Sequence, residues 1–481
     1  MSQLRKKTLL GVVWAYAQQF SGQIVNFVIS IILARLLMPS EFGLIGMIAI
    51  VLGIGDTLKD AGMSESLIRT SKPDDVDYSS VFYINILLSV FIYSVIFVAA
   101  PLLSEFYGVS TLTKMTRVLS LGIIIGALSS VQRTKLTKEM NFKTQFFVDV
   151  PSFIISGIVG VVMAYKDYGV WSLVAMQLTR NSLSTLQLWF YSKWIPKLTF
   201  STKRLKHHFN YGYKLTISRL LEVLYKNMYN ILIGKNFTAA DLGYYSRSLS
   251  TTNLVVQNIT GAIDKVTFPL FSEIHYDNNR LKKVYCMVMQ QVLFWIAPIL
   301  IGAAVFGVPL FRLVFTEKWL PAVPMFQILC VVGIMYPIHS YNLSILNVKG
   351  RSDLFLKLEV IKKVIAVTFV FVVLPYGVFA LLYFQVFFSI FAFFINSYFS
   401  GMLIGYRVFE QLKDIIPILI ISISMGLLCL IVDEQLLKES FSDLARILIG
   451  FSVGVLYYFL VSTVFQLAPL KEFYKIITNK T

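Results

Sequence analysis

Charged side chains are what this sequence has least of. They make up 14% of its 481 residues while hydrophobic residues make up 56%, and a soluble domain carries about 25% charge. That shortage excludes an ordinary water-facing surface. Cysteine is nearly absent: Cys286, Cys330 and Cys429 each sit in an apolar segment with no partner at metal-ligand spacing. They exclude a disulfide framework and read as core packing. The four histidines, His207, His208, His275 and His339, form no metal set. Glycine-rich phosphate loops, a G-x-S-x-G elbow and a paired-acid motif in a polar setting are all missing. The chain therefore reads as a protein that is not an enzyme, with no catalytic residue, metal or cofactor. Acidic residues are outnumbered 26 to 43, giving a net charge of +17. In a membrane protein basic residues first report topology, so the excess does not imply a nucleic-acid partner.

What is present is apolar sequence of membrane-spanning length, again and again. The mean hydropathy is +0.70, and fourteen spans are predicted at 9–37, 42–68, 79–103, 113–135, 145–166, 169–192, 209–234, 241–271, 284–315, 321–347, 354–375, 377–404, 412–432 and 443–466. The first is too long for a signal-peptide core, which runs to about 15 residues. Loops on the side of the N-terminus, together with the two termini, hold roughly 25 basic residues against fewer than ten opposite, which assigns both termini to the cytoplasm. The fold class is thus an all-α polytopic membrane protein, with membrane lipids as its surroundings.

An internal repeat organises the spans. ILARLLMPSEFG at 32–43 aligns without gaps on LIGKNFTAADLG at 232–243, and YGVWSLVAMQ at 168–177 on YGVFALLYFQ at 376–385. The registers, 200 and 208, are nearly one offset. Six spans precede each return, so two six-helix lobes in parallel orientation are expected, with two C-terminal helices added. The boundaries are 1–192 for the first lobe, 193–208 for a basic cytoplasmic linker, 209–404 for the second lobe and 405–481 for the last two spans and tail.

The seventh span carries a charged seam. Lys214, Ser218, Glu222 and Lys226 are spaced by four with Arg219 beside them, so they share one side of a helix. A charge at mid-membrane costs about 2.5–3.5 kcal/mol on insertion scales, so the seam faces protein or water and reads as a cavity wall. The repeat aligns Ser218, Glu222 and Lys226 with Gln18, Gly22 and Asn26, a second polar stripe. A third runs through Gln177, Arg180, Ser184 and Gln187. Arg247, Asp56, Lys59, Asp60 and Asp149 add charge, several of them near helix ends, where snorkelling to headgroups and lining the cavity are equal readings. Pro298 with Gly302, and Pro337 after Gly333, mark either hinges or static kinks. If an ion is coupled, Na⁺ or H⁺, the embedded carboxylates to consider are Glu222 and then Asp264, with structural pairing as the alternative.

The opening span with Trp14, the 32–43 turn, Asp60–Gly62, Leu67–Arg69, the RTKLTKEMNFK loop at 133–143 and the 168–173 motif resemble the polysaccharide (Wzx-like) flippases of the multidrug/oligosaccharidyl-lipid/polysaccharide exporter superfamily. The resemblance covers essentially the whole chain. It implies two lobes about a central cavity and movement of an undecaprenyl-pyrophosphate-linked oligosaccharide across the bacterial cytoplasmic membrane by alternating access, beside other polysaccharide-biosynthesis proteins. On that footing Arg219, Lys226 and Arg180 would meet the pyrophosphate, Glu222 would hold the cations apart, and Gln18, Asn26, Gln177 and Arg247 complete the substrate set. A multidrug or cation exporter of the same superfamily would want an acidic or aromatic cavity. A polymerase or ligase would need a large extracytoplasmic loop, and the segment around 433–443 is short.

Overall fold

The computed structural model describes residues 2–478, which form helices, turns and bends with no strand among them. The chain divides after Gly243 into two compact units. The first holds α1 (Ser2–Leu36), α2 (Pro39–Asp60), α3 (Met63–Arg69), α4 (Asp75–Tyr107), α5 (Thr111–Leu119), α6 (Leu121–Lys138), α7 (Phe142–Tyr165), α8 (Trp171–Tyr191), α9 (Thr202–Asn236) and the first turn of α10 (Ala239–Glu273). Within it α7 lies between α1 and α8, α4 lies along α6, and α9 packs on α2, α3 and α4. The second unit holds the rest of α10, then α11 (Asn278–Val305), α12 (Gly307–Phe315), a 3₁₀ turn (Glu317–Ala322), α13 (Val323–Val348), α14 (Ser352–Val373), α15 (Val378–Ile404), α16 (Val408–Val432), α17 (Asp443–Val464) and α18 (Ala468–Thr478). Its core is aromatic, with Phe294, Phe311, Trp319 and Phe326 buried.

Each of the fourteen expected spans falls on one helix or on a consecutive pair. Ten are long and apolar enough to cross a membrane among the described residues. The segments of α8, α9, α10 and α14 are also 21 to 35 residues long but more polar. Burial follows the rule for lipid rather than water. In α4, Ser79, Ser80, Asn85 and Ser89 are buried, while Leu87, Phe91 and Val98 are 63–76% exposed. A helix placed in hydrocarbon turns its polar atoms inward because only protein can satisfy them there.

The repeat holds at the level of hydrogen bonds. Both copies of the 32–43 motif end a helix, turn through two residues and start another at Pro39 and Ala239. Glu41 accepts the Met38 N–H at 2.7 Å and Asp241 accepts the Thr238 N–H at 3.0 Å, so the aligned acids satisfy the same orphan donor. The two turns also meet each other. A Cβ on Gly43 would lie 1.8 Å from the Ala239 carbonyl oxygen, and one on Gly243 would lie 1.9 Å from that of Pro39. Backbone therefore touches backbone in both directions.

Three expected spans are interrupted. The second breaks between α2 and α3, where Ala61 (φ 45°) and Gly62 (φ 70°) are both left-handed and no α-helix can pass. The fourth breaks at Ser120 and the ninth at Phe306. By contrast α11 runs unbroken through Pro298, and α13 through Pro337. Gly333 serves close packing: a Cβ there would be 2.8 Å from Thr252 Cγ2 and 3.0 Å from Leu300 Cδ1.

The segment 193–208 is strapped to the start of α4. Lys197 Nζ lies 2.7 Å from Asp75, and Arg204 pairs with Asp74 at 3.1 Å and Asp77 at 3.0 Å. His208 is buried, with Nε2 3.3 Å from Asp77 Oδ1 and Nδ1 2.8 Å from Ser66 Oγ. The order of groups resembles an acyl-transfer triad, but Ser66, His208 and Asp77 are all at most 3% exposed, so no substrate reaches them. Burial pushes the His208 imidazole below its ordinary range, against the upward pull of Asp77. A neutral folded imidazole and an unfolded one titrating near 6.5 make its contribution present above about pH 6.5 and lost as pH falls below it. Melting of the detergent-purified chain is expected to drop from about pH 7 to about pH 5.5, and His208→Gln to flatten that slope. Equal slopes in the two proteins would remove this role for His208.

Candidate functional site

The polar stripe of α1 forms one wall of a groove in the first unit. Gln18, Gln19, Gln23 and Asn26 face Asp149 and Phe153 of α7 across a cavity of about 310 Å³. Gly22 lets the helices close, since a Cβ there would be 2.7 Å from the Phe153 ring. At the base of the groove Arg133 of α6 grips Asp149 with both arms, at 2.8 and 3.0 Å, and donates to Ser184 of α8 at 2.8 Å. Gln18 Nε2 adds a third donor to the same carboxylate at 2.5 Å. The acid is thus neutralised and nearly saturated, which is what a carboxylate inside a membrane requires.

Arg180 stands apart from that pair. Its guanidinium carbon lies 3.9 Å from the centroid of the Phe153 ring. Among the described residues it makes no ion pair with a carboxylate, and it is exposed. Stacking holds the planar fork in place while leaving its N–H groups for a ligand. Two turns further along α8, Gln187 donates to Ser152 at 3.0 Å. Ser184 and Gln187 of the α8 stripe are thus bonded to α6 and α7.

The α9 seam is arranged otherwise. Lys226 and Glu222 pair at 2.6 Å and are exposed, at 70% and 54% of their side chains. Arg219 turns instead to Glu65 of α3, at 2.7 Å. This seam lies on α9, which packs on α2, α3 and α4, whereas the groove is lined by α1 and α7. Arg247 lies in the second unit, buried between the rings of Phe315 and Trp319 at 5.1 and 5.2 Å. Asp264, also in that unit, faces Tyr341 of α13.

Sequence reasoning placed Arg133 in a loop and passed over Phe153 and Glu65. A signal for Arg133 existed. It and Asp149 stand eight residues either side of Asn141, the N-cap of α7, and in an antiparallel helix hairpin residues equidistant from the turn lie opposite each other. A second overlooked cluster is the E-x-x-K-K run of α14. Lys362 is buried, 2.5 Å from Glu359 and 3.0 Å from Asn396 of α15.

A family model described as polysaccharide biosynthesis protein matches residues 32–324. The chain belongs to this family. Among relatives of this polysaccharide biosynthesis protein, the teichuronic acid biosynthesis protein TuaB of Bacillus subtilis (strain 168) is 25% identical over 357 residues, 74% of each chain. The lipopolysaccharide biosynthesis protein WzxC of Escherichia coli (strain K12) is 24% identical over 371 residues, 77% of this chain and 74% of that one. The succinoglycan biosynthesis transport protein ExoT of Rhizobium meliloti (strain 1021) is 23% identical over 318 residues, 66% and 64% of the two chains. Among solved structures, the lipid II flippase MurJ in an inward closed conformation has a TM-score of 0.73 at 15% identity, covering 94% of this chain and 98% of that chain. An inward-facing multidrug-resistance transporter of the MATE family has a TM-score of 0.60 at 15% identity, covering 82% and 96%. The family member thus shares its fold with the flippase MurJ and the MATE transporter, as the family resemblance implied.

Proposed function

We propose that the protein moves a lipid-linked oligosaccharide, carried on undecaprenyl pyrophosphate, from the cytoplasmic to the outer leaflet of the bacterial cytoplasmic membrane. The observation that carries this reading is the groove of the first unit. Amide side chains along α1 suit sugar hydroxyls, which need donors and acceptors together. An aromatic ring beside them offers a face for a sugar's C–H groups, and Arg180 on that ring offers charge to a phosphate. Lipid II in the name of the structural relative and polysaccharide in the family's description support the same class of substrate. A cation exporter would want a free carboxylate, and Asp149 is already bound by Arg133.

Deleting the gene is expected to abolish the host's surface glycan and to leave lipid-linked repeat units on the cytoplasmic face, with full rescue by the intact gene. A deletion strain with normal glycan and altered drug tolerance would favour the multidrug reading instead. Orientation is tested separately. A cysteine introduced between Lys193 and Lys206 is expected to resist a membrane-impermeant thiol reagent in intact cells, and one beside Glu317 to react. The reverse pattern would invert the assignment of both termini to the cytoplasm.

A further inference from the structure

The break between α2 and α3 gathers oxygen atoms around a carboxylate. Asp60 is the last residue of α2, and two left-handed residues follow it. A helix C-terminus presents its free carbonyls and the negative end of its dipole, so an acid there is poorly placed unless something positive is near. The nearest lysine, Lys59, is paired with Asp56 at 2.5 Å. Asp60 receives only neutral donors: Ser64 Oγ at 2.6 Å, the Ser64 N–H at 3.3 Å and Asn85 Nδ2 at 3.4 Å.

The Ser64 contacts tie the end of α2 to the start of α3, but two neighbouring oxygens are left over. Asn85 is fully buried and its Oδ1 has no partner, although its amide nitrogen reaches both Asp60 and Ser130 Oγ, the latter at 3.1 Å. Glu65 Oε2 is also buried and unpartnered, while Oε1 takes Arg219. Both leftover atoms are acceptors. Unsatisfied buried acceptors beside a carboxylate call for a cation, and leftover ligands that are all oxygen call for a hard one. The charge count fixes its valence: Asp60 and Glu65 against Arg219 leave one negative charge, which a monovalent ion cancels and a divalent ion would overshoot.

The geometry points to a site for one Na⁺ ion at the α2–α3 break, held by the side-chain oxygens of Asp60, Asn85 and Glu65 with the Ser64 and Ser130 hydroxyls beside them. Broken membrane helices place Na⁺ in this way, against unwound backbone and a helix C-terminus. The site is distinct from Glu222 and Asp264, and it stands whether or not the chain carries a glycan.

The test uses the purified full-length chain in detergent, with ²²Na⁺ as the probe and no lipid-linked sugar. Saturable binding of one ion per chain is expected. Asp60→Asn keeps an oxygen that can accept from Ser64, yet it should weaken binding at least tenfold. Asn85→Leu should weaken it as well, by removing a ligand without changing charge. Arg219→Ala frees Glu65 and should tighten binding severalfold, a gain that general loss of structure cannot produce. No saturable binding in the unaltered chain would overturn the proposal, as would unchanged affinity in both Asp60→Asn and Asn85→Leu. Should either variant fail to fold, the other together with Arg219→Ala decides.

Discussion

An Arg180→Ala chain reaches the membrane in normal amount and exports at least tenfold less glycan. The fold loses little, because the guanidinium contributes a stacking contact with Phe153 worth about 0.5–1 kcal/mol at an exposed site and no ion pair. Transport loses the cation of the groove that is not already committed to an acid. Arg180→Lys keeps the charge but neither the planar fork nor the stack, so an intermediate rate is expected. Arg133→Ala gives the opposite pattern. It leaves Asp149, 11% exposed, with Gln18 as its remaining donor. Arg133 is 38% exposed, so the loss stays below that of a fully buried pair, about 3–5 kcal/mol, but abundance is expected to fall. Immunoblots of membrane fractions beside quantified surface glycan separate the two. Normal export by Arg180→Ala, or normal abundance of Arg133→Ala, would refute this division of labour.

Gly43→Ala removes the protein from the membrane. The added methyl would stand 1.8 Å from the Ala239 carbonyl oxygen, about half a normal carbon–oxygen separation. Neither atom belongs to a side chain that can rotate away, so α2 must separate from α10 along its first turn. Losses above about 4 kcal/mol are the expected class for such a clash. Gly243→Ala meets Pro39 in the same way and should match it. Gly261→Ala is the control, since nothing lies within 4 Å of its added carbon, and alanine in a helix interior gains up to about 1 kcal/mol over glycine. Steady-state levels of the three variants are the measurement. Equal abundance of Gly43→Ala and Gly261→Ala would mean that the two turns do not touch.

Much of this arrangement was legible because membrane burial writes itself in long apolar runs and repeats copy their caps. Span order and the paired turns follow from spacing alone. What stayed hidden depended on partners distant in sequence. Arg133 looked like a loop base because it is followed by Lys135 and Lys138, and only the hairpin through Asn141 brings it to Asp149. The break at Ala61 was masked because alanine is the strongest helix former; the left-handed turn there is imposed by Gly62 and by its contact with Gly212, where an added Cβ would come within 2.5 Å of a carbonyl oxygen. Spacing likewise joined Glu222 to both Arg219 and Lys226, and α3 then supplied Glu65 as a competitor for Arg219.

The mutual seating of Gly43 on Ala239 and of Gly243 on Pro39 has a genetic consequence. When a mutation enlarges a side chain against another side chain, a smaller residue opposite restores the fit, and suppressors appear at the second position. Here the atoms opposite are carbonyl groups, which every codon encodes alike. Selection for restored glycan from a Gly43→Ala strain should therefore return changes at codon 43 itself, and none at codons 39, 239 or 243.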